Sequence, residues 1–294
     1  MKQRGMALFQ VLLLSVLLGI ILMSMNHQAR QHTKLAQAVQ KYTQAAMALQ
    51  SAEAQILFNL LSHEPFELAQ GVLSEAPGWN FYGVPFKYDS LDVVIQDTSG
   101  LLNTSKPDPR ILDQLITRVT GSAGLGTKIY AALNDWQDKD DLPRRDGAEQ
   151  QDYELIAVRN WPLQYSEEWL FIKGMTPEVY RELAPLMSLF TQGVNVNQQP
   201  ETLWRLYLEE NQVSELSRLR TQGKLTPDLF ESLTNMKIDE YTRFSYGPSY
   251  RIGFGVQNDQ VKLTRELTLR LMHYQTKPFD IFEYRLRNLP TDNF

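Results

Sequence analysis

MALFQVLLLSVLLGIILMSM occupies residues 6–25, and NHQARQHTKLAQAVQKYTQAAMALQSAEAQILFNLLS follows over 26–62. The first run has no charged residue, one glutamine and two serines. As a helix it is about 30 Å long, which matches the hydrocarbon core of a bilayer. Lys2 and Arg4 precede it and Arg30 is the first charge beyond it. The basic end is therefore expected to stay in the cytoplasm, with the rest of the chain on the far side. A cleaved secretory signal has a shorter apolar region ended by an A-x-A-like site. Met23-Ser24-Met25-Asn26-His27-Gln28-Ala29 offers no such site, which leaves a signal anchor or a longer helical device.

Past Met25 there is no proline or glycine until Pro65. Apolar residues recur at Leu35, Val39, Tyr42, Ala46, Leu49, Ala52, Ile56 and Leu60. Steps of three and four residues trace one face of a helix. Residues 6–62 are thus predicted to form a single rod roughly 85 Å long. A simple anchor has no use for such a rod. A filament subunit does: its apolar half packs among neighbours and its amphipathic half holds a globular head.

The 294 residues suffice for one large domain or two modest ones, and 43% of them are hydrophobic. Net charge is −5, so the body has the wrong sign for nucleic acid or an anionic bilayer. The absence of cysteine excludes disulfides and thiolate metal sites.

Residues 64–88 contain Pro65, Gly71, Pro77, Gly78, Gly83 and Pro85 and read as a connection. Ser90–Gln96 has strand composition. Residues 101–240 look all-α, with helices expected at Pro109–Thr120, Gly126–Asp135, Pro177–Leu189, Pro200–Val213 and Pro227–Asn235. Thr176-Pro177-Glu178 and Thr226-Pro227-Asp228 are good helix starts: a capping hydroxyl, a proline suited to the first turn, and an acid on the helix dipole. Strand patterns return at Tyr250–Val256, Val261–Met272 and Phe279–Leu289, with a turn at Gln257-Asn258-Asp259-Gln260. The expected class is α+β: a long N-terminal helix and a small antiparallel sheet, with a large all-α domain inserted between strands.

Lys2-Gln3-Arg4-Gly5 followed by Met6-Ala7-Leu8 resembles the precursor ends of the type IV pilin and pseudopilin family. The resemblance implies cleavage between Gly5 and Met6 by a prepilin peptidase and methylation of the new N-terminus. The expected organisation is a leader at 1–5, a transmembrane helix at 6–25, a head from 26–100 and 241–294, and an insert at 101–240. Loss of the leader would leave 27 basic residues against 34 acidic ones, a net charge of −7. Most members of the family carry glutamate as the fifth mature residue, where it pairs with the terminal ammonium of the adjacent subunit. Here that position is Gln10. A carboxylate in lipid is costly without a partner, so Gln10 fits a subunit at the filament tip. The plainer reading is that glutamine is a tolerated isostere.

Further motifs narrow the resemblance to the large minor pseudopilins of type II secretion systems. They are Asp97-Thr98-Ser99-Gly100-Leu101-Leu102-Asn103, Asp135-Trp136-Gln137-Asp138-Lys139-Asp140, Gly147-Ala148-Glu149 before Tyr153, Gly174–Tyr180, and Val194-Asn195-Val196-Asn197 before Pro200. What this implies is a single-pass inner-membrane protein with a periplasmic body at the tip of a pseudopilus. Its implied partners are the minor pseudopilins I and J, with the secreted substrate or the outer-membrane channel also within reach of its cap. Its implied roles are to prime the filament and aid export across the outer membrane.

Asp135, Asp138, Asp140, Asp141, Asp146, Glu149, Asp152 and Glu154 form the densest polar cluster. Hard oxygen ligands at this density suit calcium. Asp138, Asp140 and Glu149 fall at EF-hand positions 1, 3 and 12, but Leu142 and Pro143 stand where that loop needs an oxygen ligand and glycine. Lys139, Arg144 and Arg145 offer the alternative of a salt-bridged surface loop. The resemblance implies calcium near this segment, with Asp138, Asp140, Glu149 and Asp152 as the ligands it points to.

An alternative function is a minor type IV pilus subunit that captures DNA or a surface, since Gly174–Tyr180 and Val194–Pro200 have helix-hairpin-helix character. Only Lys173 and Arg181 lie near the hairpin, so nucleic acid is not the expected partner, and helix capping is the expected role of Thr176 and Asn197. No enzyme is expected. His27, His32, His63 and His273 fall in no catalytic or metal motif, and no glycine-rich phosphate loop is present.

Overall fold

The computed structural model describes residues 4–73, 78–238, 242–257, 262–272 and 275–287. The rod is one uninterrupted helix, α1 (Arg4–Ser62), of 59 residues. Its window of highest hydropathy averages 2.5 and none of that window is buried, so it is long and apolar enough to cross a membrane. After α1 come α2 (Pro65–Ala69), β1 (Phe86–Tyr88) and β2 (Leu91–Asp97). The insert then runs through β3 (Leu102–Asn103), α3 (Pro109–Thr120), α4 (Leu125–Gln137), α5 (Pro177–Leu183), β4 (Met187–Ser188), β5 (Val194–Asn195), α6 (Glu201–Trp204), α7 (Glu210–Thr221) and α8 (Pro227–Thr234). The chain returns through β6 (Thr242–Arg243) to β7 (Ser249–Gln257), β8 (Lys262–Leu271) and β9 (Phe279–Arg287).

The head is a five-stranded sheet of order β1-β2-β7-β8-β9, antiparallel throughout. One face packs on the C-terminal half of α1. Ala45, Leu49, Ala52, Ile56, Leu57 and Leu60 meet Val93, Ile95, Ile252, Phe254, Leu267 and Leu269 in a single cluster. Each fully buried Leu or Ile there contributes about 1.5–3 kcal/mol. Arg265 from β8 closes the seam with a 2.8 Å ion pair to Glu53. The apolar stripe read from Leu35 onward is only partly used, because Leu35, Val39 and Tyr42 are exposed. Periodicity identifies a face but not what covers it, and the sheet reaches only as far as Ala45.

The insert links β2 to β7, which are neighbours in the sheet with Asp97 opposite Tyr250. The Asp97–Gly100 motif ties this junction. The Asp97 carboxylate is fully buried and accepts from Ser99 N (2.8 Å), Ser99 Oγ (2.6 Å) and Gly247 N (2.6 Å). Burial raises its pKa, against these three donors. Thr98 Oγ1 lies 3.1 Å from Phe190 O and 3.2 Å from Ser249 O. Gln96 Nε2 donates to Gln198 O at 2.9 Å. Gly100 is required by close approach, since a Cβ there would lie 2.1 Å from Gln198 O.

Within the insert α3 has the predicted bounds. Asp108 caps it by accepting from Arg110 N and Ile111 N, and Gly121 ends it at φ 73°. The segment Pro177–Leu189 is not one helix. It ends at Leu183 before Pro185, and Met187–Ser188 instead pairs in parallel with Leu102–Asn103. Pro200–Val213 also splits. Leu203 packs into a cluster with α3, α4 and α5, whereas Trp204 packs into a second cluster with α7 and α8. The chain turns between these two cores and a new helix begins after Glu209. The insert expected to be all-α therefore carries one short parallel ladder, β3 with β4, and a second, β5 with β6, joins it to the returning chain. Each is held by tertiary pairing that helix propensity does not register. Asn258–Gln260 of the predicted turn, Val261, His273 and Asn288–Leu289 lie outside the described residues.

Candidate metal centre and assembly helix

The acidic loop begins at the end of α4. Gly126, Ile129, Ala132, Leu133 and Trp136 bury one face of that helix. Asp135, three residues after Ala132, is carried inward with them and is fully buried. Its Oδ2 accepts from Ala148 N at 2.8 Å and Arg144 N at 3.1 Å, and its Oδ1 pairs with Arg144 Nη1 at 2.6 Å. The loop from Asp138 to Gly147 is thus wrapped around one carboxylate. Gly147 must be glycine, because a Cβ there would lie 1.9 Å from Asp135 Oδ2.

Asp135, Asp138 and Glu149 place ligand oxygens within 4.8 Å of one another. Arg144 Nη1 also bonds Asp138 Oδ2, so one guanidinium bridges two of the three acids. Their hydrogen bonds raise its pKa. Glu149 is fully buried, and neither of its oxygens has a hydrogen-bond partner among the described residues; the same holds for Asp138 Oδ1. Burial, and then repulsion from Asp135, Asp138, Asp141 and Asp140, pushes Glu149 up to about 7. Three convergent carboxylates, two of them with orphaned buried oxygens, are a donor set for a hard divalent cation.

Two of the four ligands that the resemblance points to, Asp138 and Glu149, are brought together. Asp140 and Asp152 are placed otherwise. Asp140 Oδ1 accepts from Leu142 N at 3.0 Å, on the surface. Asp152 holds Lys173 Nζ at 2.5 Å and accepts from Glu149 N at 3.2 Å, and the lysine lowers its pKa. The residue missing from that set is Asp135. Its signal was an acid at helical spacing on the apolar face of α4, a position that demands a buried partner. Of the two capping readings, Thr176 accepts from Val179 N and caps α5. Asn197 lies inside a short 3-10 turn, and its buried Oδ1 has no partner among the described residues.

Gly5 and Met6 lie in the first turns of α1, and Gln10 is exposed on the same helix.

These features define an α+β fold: a long apolar helix whose second half packs on an antiparallel sheet, with a largely helical insert between two adjacent strands. Residues 91–192 match the family model for Type II secretion system (T2SS), protein K, a range that holds β2, the Asp97–Gly100 junction and the acidic loop. The chain is 27% identical over 219 residues to the Type II secretion system protein K of Klebsiella pneumoniae, covering 67% of this chain and 66% of that protein. It is 23% identical over 248 residues to the protein of that name from Pectobacterium carotovorum subsp. carotovorum, covering 75% of each. The fold is that of a chain in the GspK-GspI-GspJ complex from the enterotoxigenic Escherichia coli type 2 secretion system, with TM-score 0.57 and 19% identity over 86% of this chain and 99% of that one. The resemblance carried by the motifs is thus to type II secretion system protein K.

Proposed function

We propose that this chain is a minor pseudopilin of a type II secretion system, placed at the tip of its pseudopilus. The observation that carries the reading is the insert between β2 and β7, the segment on which the family match falls. An insert of that size is too bulky to repeat along a packed filament, yet it is compatible with a single copy at the end. Gln10 supports the same position, because a terminal subunit has no ammonium above it for a carboxylate to neutralise. In this reading prepilin peptidase cuts between Gly5 and Met6, and the new N-terminus is methylated. The apolar half of α1 stays in the inner membrane and packs against minor pseudopilins I and J. The body is periplasmic, primes filament growth, and presents the insert to secreted substrate or the outer-membrane channel. Co-expression with I and J should yield a ternary complex extractable from membranes, and N-terminal sequencing should begin at Met6. An intact Met1 beside an active prepilin peptidase, or a body that ignores I and J, refutes it. Salt-dependent DNA binding would favour a type IV pilus subunit instead.

The reading includes a calcium ion held by Asp135, Asp138 and Glu149. The ion would neutralise the converging carboxylates and fix the loop to the end of α4, with Arg144 competing for two of the same acids. Terbium luminescence sensitised by Trp136, displaced by calcium and lost in Glu149→Gln, tests it; terbium binding unaffected by that substitution refutes the assignment.

A further inference from the structure

A buried cation lies outside the acidic loop. Arg220, in α7, is only 7% exposed. Its guanidinium carbon sits 3.9 Å from the Tyr82 ring centroid and 4.0 Å from that of Trp204. Both rings offer their π faces to the cation, and neither supplies a hydrogen-bond acceptor for its N–H groups in the plane. Nη1 donates to Gln199 O at 2.6 Å and to Asn197 O at 3.3 Å. Nε and Nη2 form the other edge. Both are buried and donate to nothing among the described residues. The nearest acid, Glu201, has its Oε1 3.9 Å from Nη2, but that oxygen accepts from Ser217 and its Oε2 is held by Arg205 at 2.8 Å. Burial lowers the Arg220 pKa to about 10, which leaves it cationic at neutral pH.

Arg220 lines a cavity of about 160 Å³ where α2, the segment 79–82, the second lobe of the insert and Tyr246 of the head meet. Asn197 and Gln198 line it too, and either amide can turn its NH2 group toward an anion by exchanging its oxygen and nitrogen positions. At roughly 30 Å³ per water, the space suits a carboxyl group on a short stem and nothing as large as a nucleotide. One cation beside Glu201 favours a monoanion over phosphate. The Nε–Nη2 edge presents two parallel donors at the spacing of the two oxygens of a carboxylate.

We propose that this cavity is a carboxylate-binding site, with Arg220 receiving a small carboxylate or the acid group of another polypeptide through its Nε–Nη2 edge. It lies where head and insert meet, so its occupant bridges the two.

The test is thermal unfolding of the detergent-solubilised full chain at constant ionic strength, titrated with propionate and with propionamide. A short peptide with a free C-terminal carboxylate and its amidated form provide the second pair of arms. Propionate should raise the Tm, with half-saturation at least about tenfold below that of propionamide, the discrimination expected for hydrogen bonds to a charged group. The peptide pair shows whether a polypeptide acid also fits, and either source supports the site. Arg220→Gln should abolish the response. Ala69→Trp, an exposed residue that lines the cavity, should block it without touching the core. If Arg220→Gln does not fold, Ala69→Trp with the propionate–propionamide comparison decides. Equal responses to acid and amide, no response to any probe, or an undiminished propionate response in Ala69→Trp overturns the proposal.

Discussion

Glu149→Gln is the most informative perturbation of the acidic loop, because its effect should change sign with metal. Without a cation, Glu149 is a buried carboxyl facing Asp135 and Asp138. Its folded-state pKa, pushed up to about 7, lies above the ordinary glutamate value of 4.5. The folded state therefore prefers the protonated acid, and the wild type loses stability relative to the amide as pH rises from about 4.5 to 7. The full shift corresponds to about 3 kcal/mol. Asp140 and Asp141 are exposed, and solvent screens the repulsive part of the shift, which reduces this to about 1–2 kcal/mol. At pH 8 in chelator the amide variant should melt higher by about 2–6 °C, and at pH 4 the difference should vanish. With saturating calcium the order should reverse, because the amide removes one anionic ligand. The assay is circular-dichroism melting of the full chain in detergent across pH 4–8, with EDTA or calcium. A variant no more stable than wild type at pH 8 in EDTA refutes the electrostatic reasoning. Unchanged order on adding calcium refutes Glu149 as a ligand.

Gly147→Ala should destabilise by about 2 kcal/mol or more and weaken terbium binding, because its Cβ would press on Asp135 Oδ2 at 1.9 Å; a wild-type terbium affinity would contradict this. Ile56→Ala should cost about 2–5 kcal/mol in urea unfolding, since Ile56 is fully buried against the sheet. Leu35→Ala, on the uncovered part of the rod, should stay within about 0.5 kcal/mol yet reduce co-purification with I and J. Thr98→Val removes the hydroxyl beside Phe190 O and Ser249 O and should cost about 1–3 kcal/mol, seen as faster hydrogen exchange at the β2–β7 junction. Gln10→Glu should lower recovery of the membrane complex if this subunit caps the filament, and leave it unchanged if glutamine is only an isostere.

The sequence by itself determined the elements whose causes are local. Uncharged length fixed the apolar helix, and the unbroken spacing from Leu35 to Leu60 carried it to Ser62. Asp108-Pro109 with Gly121 set both ends of α3, because capping and a left-handed glycine act within a few residues. The motif Asp97–Gly100 was visible, but its purpose was not: its partners Gly247, Ser249 and Gln198 are about 100 to 150 residues away in the chain. The acidic cluster was equally legible as composition. Which acids converge was decided by the tertiary structure. Helical phase turned Asp135 inward, the Arg144–Gly147 backbone closed over it, and Lys173 drew Asp152 away. The same limit explains the split of Pro200–Val213, where Leu203 and Trp204 enter different cores. The rod shows the division most clearly. Its helical face followed from residue spacing alone, whereas only the extent of the sheet decided that Ala45 to Leu60 holds the head and Leu35 to Tyr42 stays uncovered. Burial depends on what the rest of the chain brings to a surface, and no local pattern encodes that.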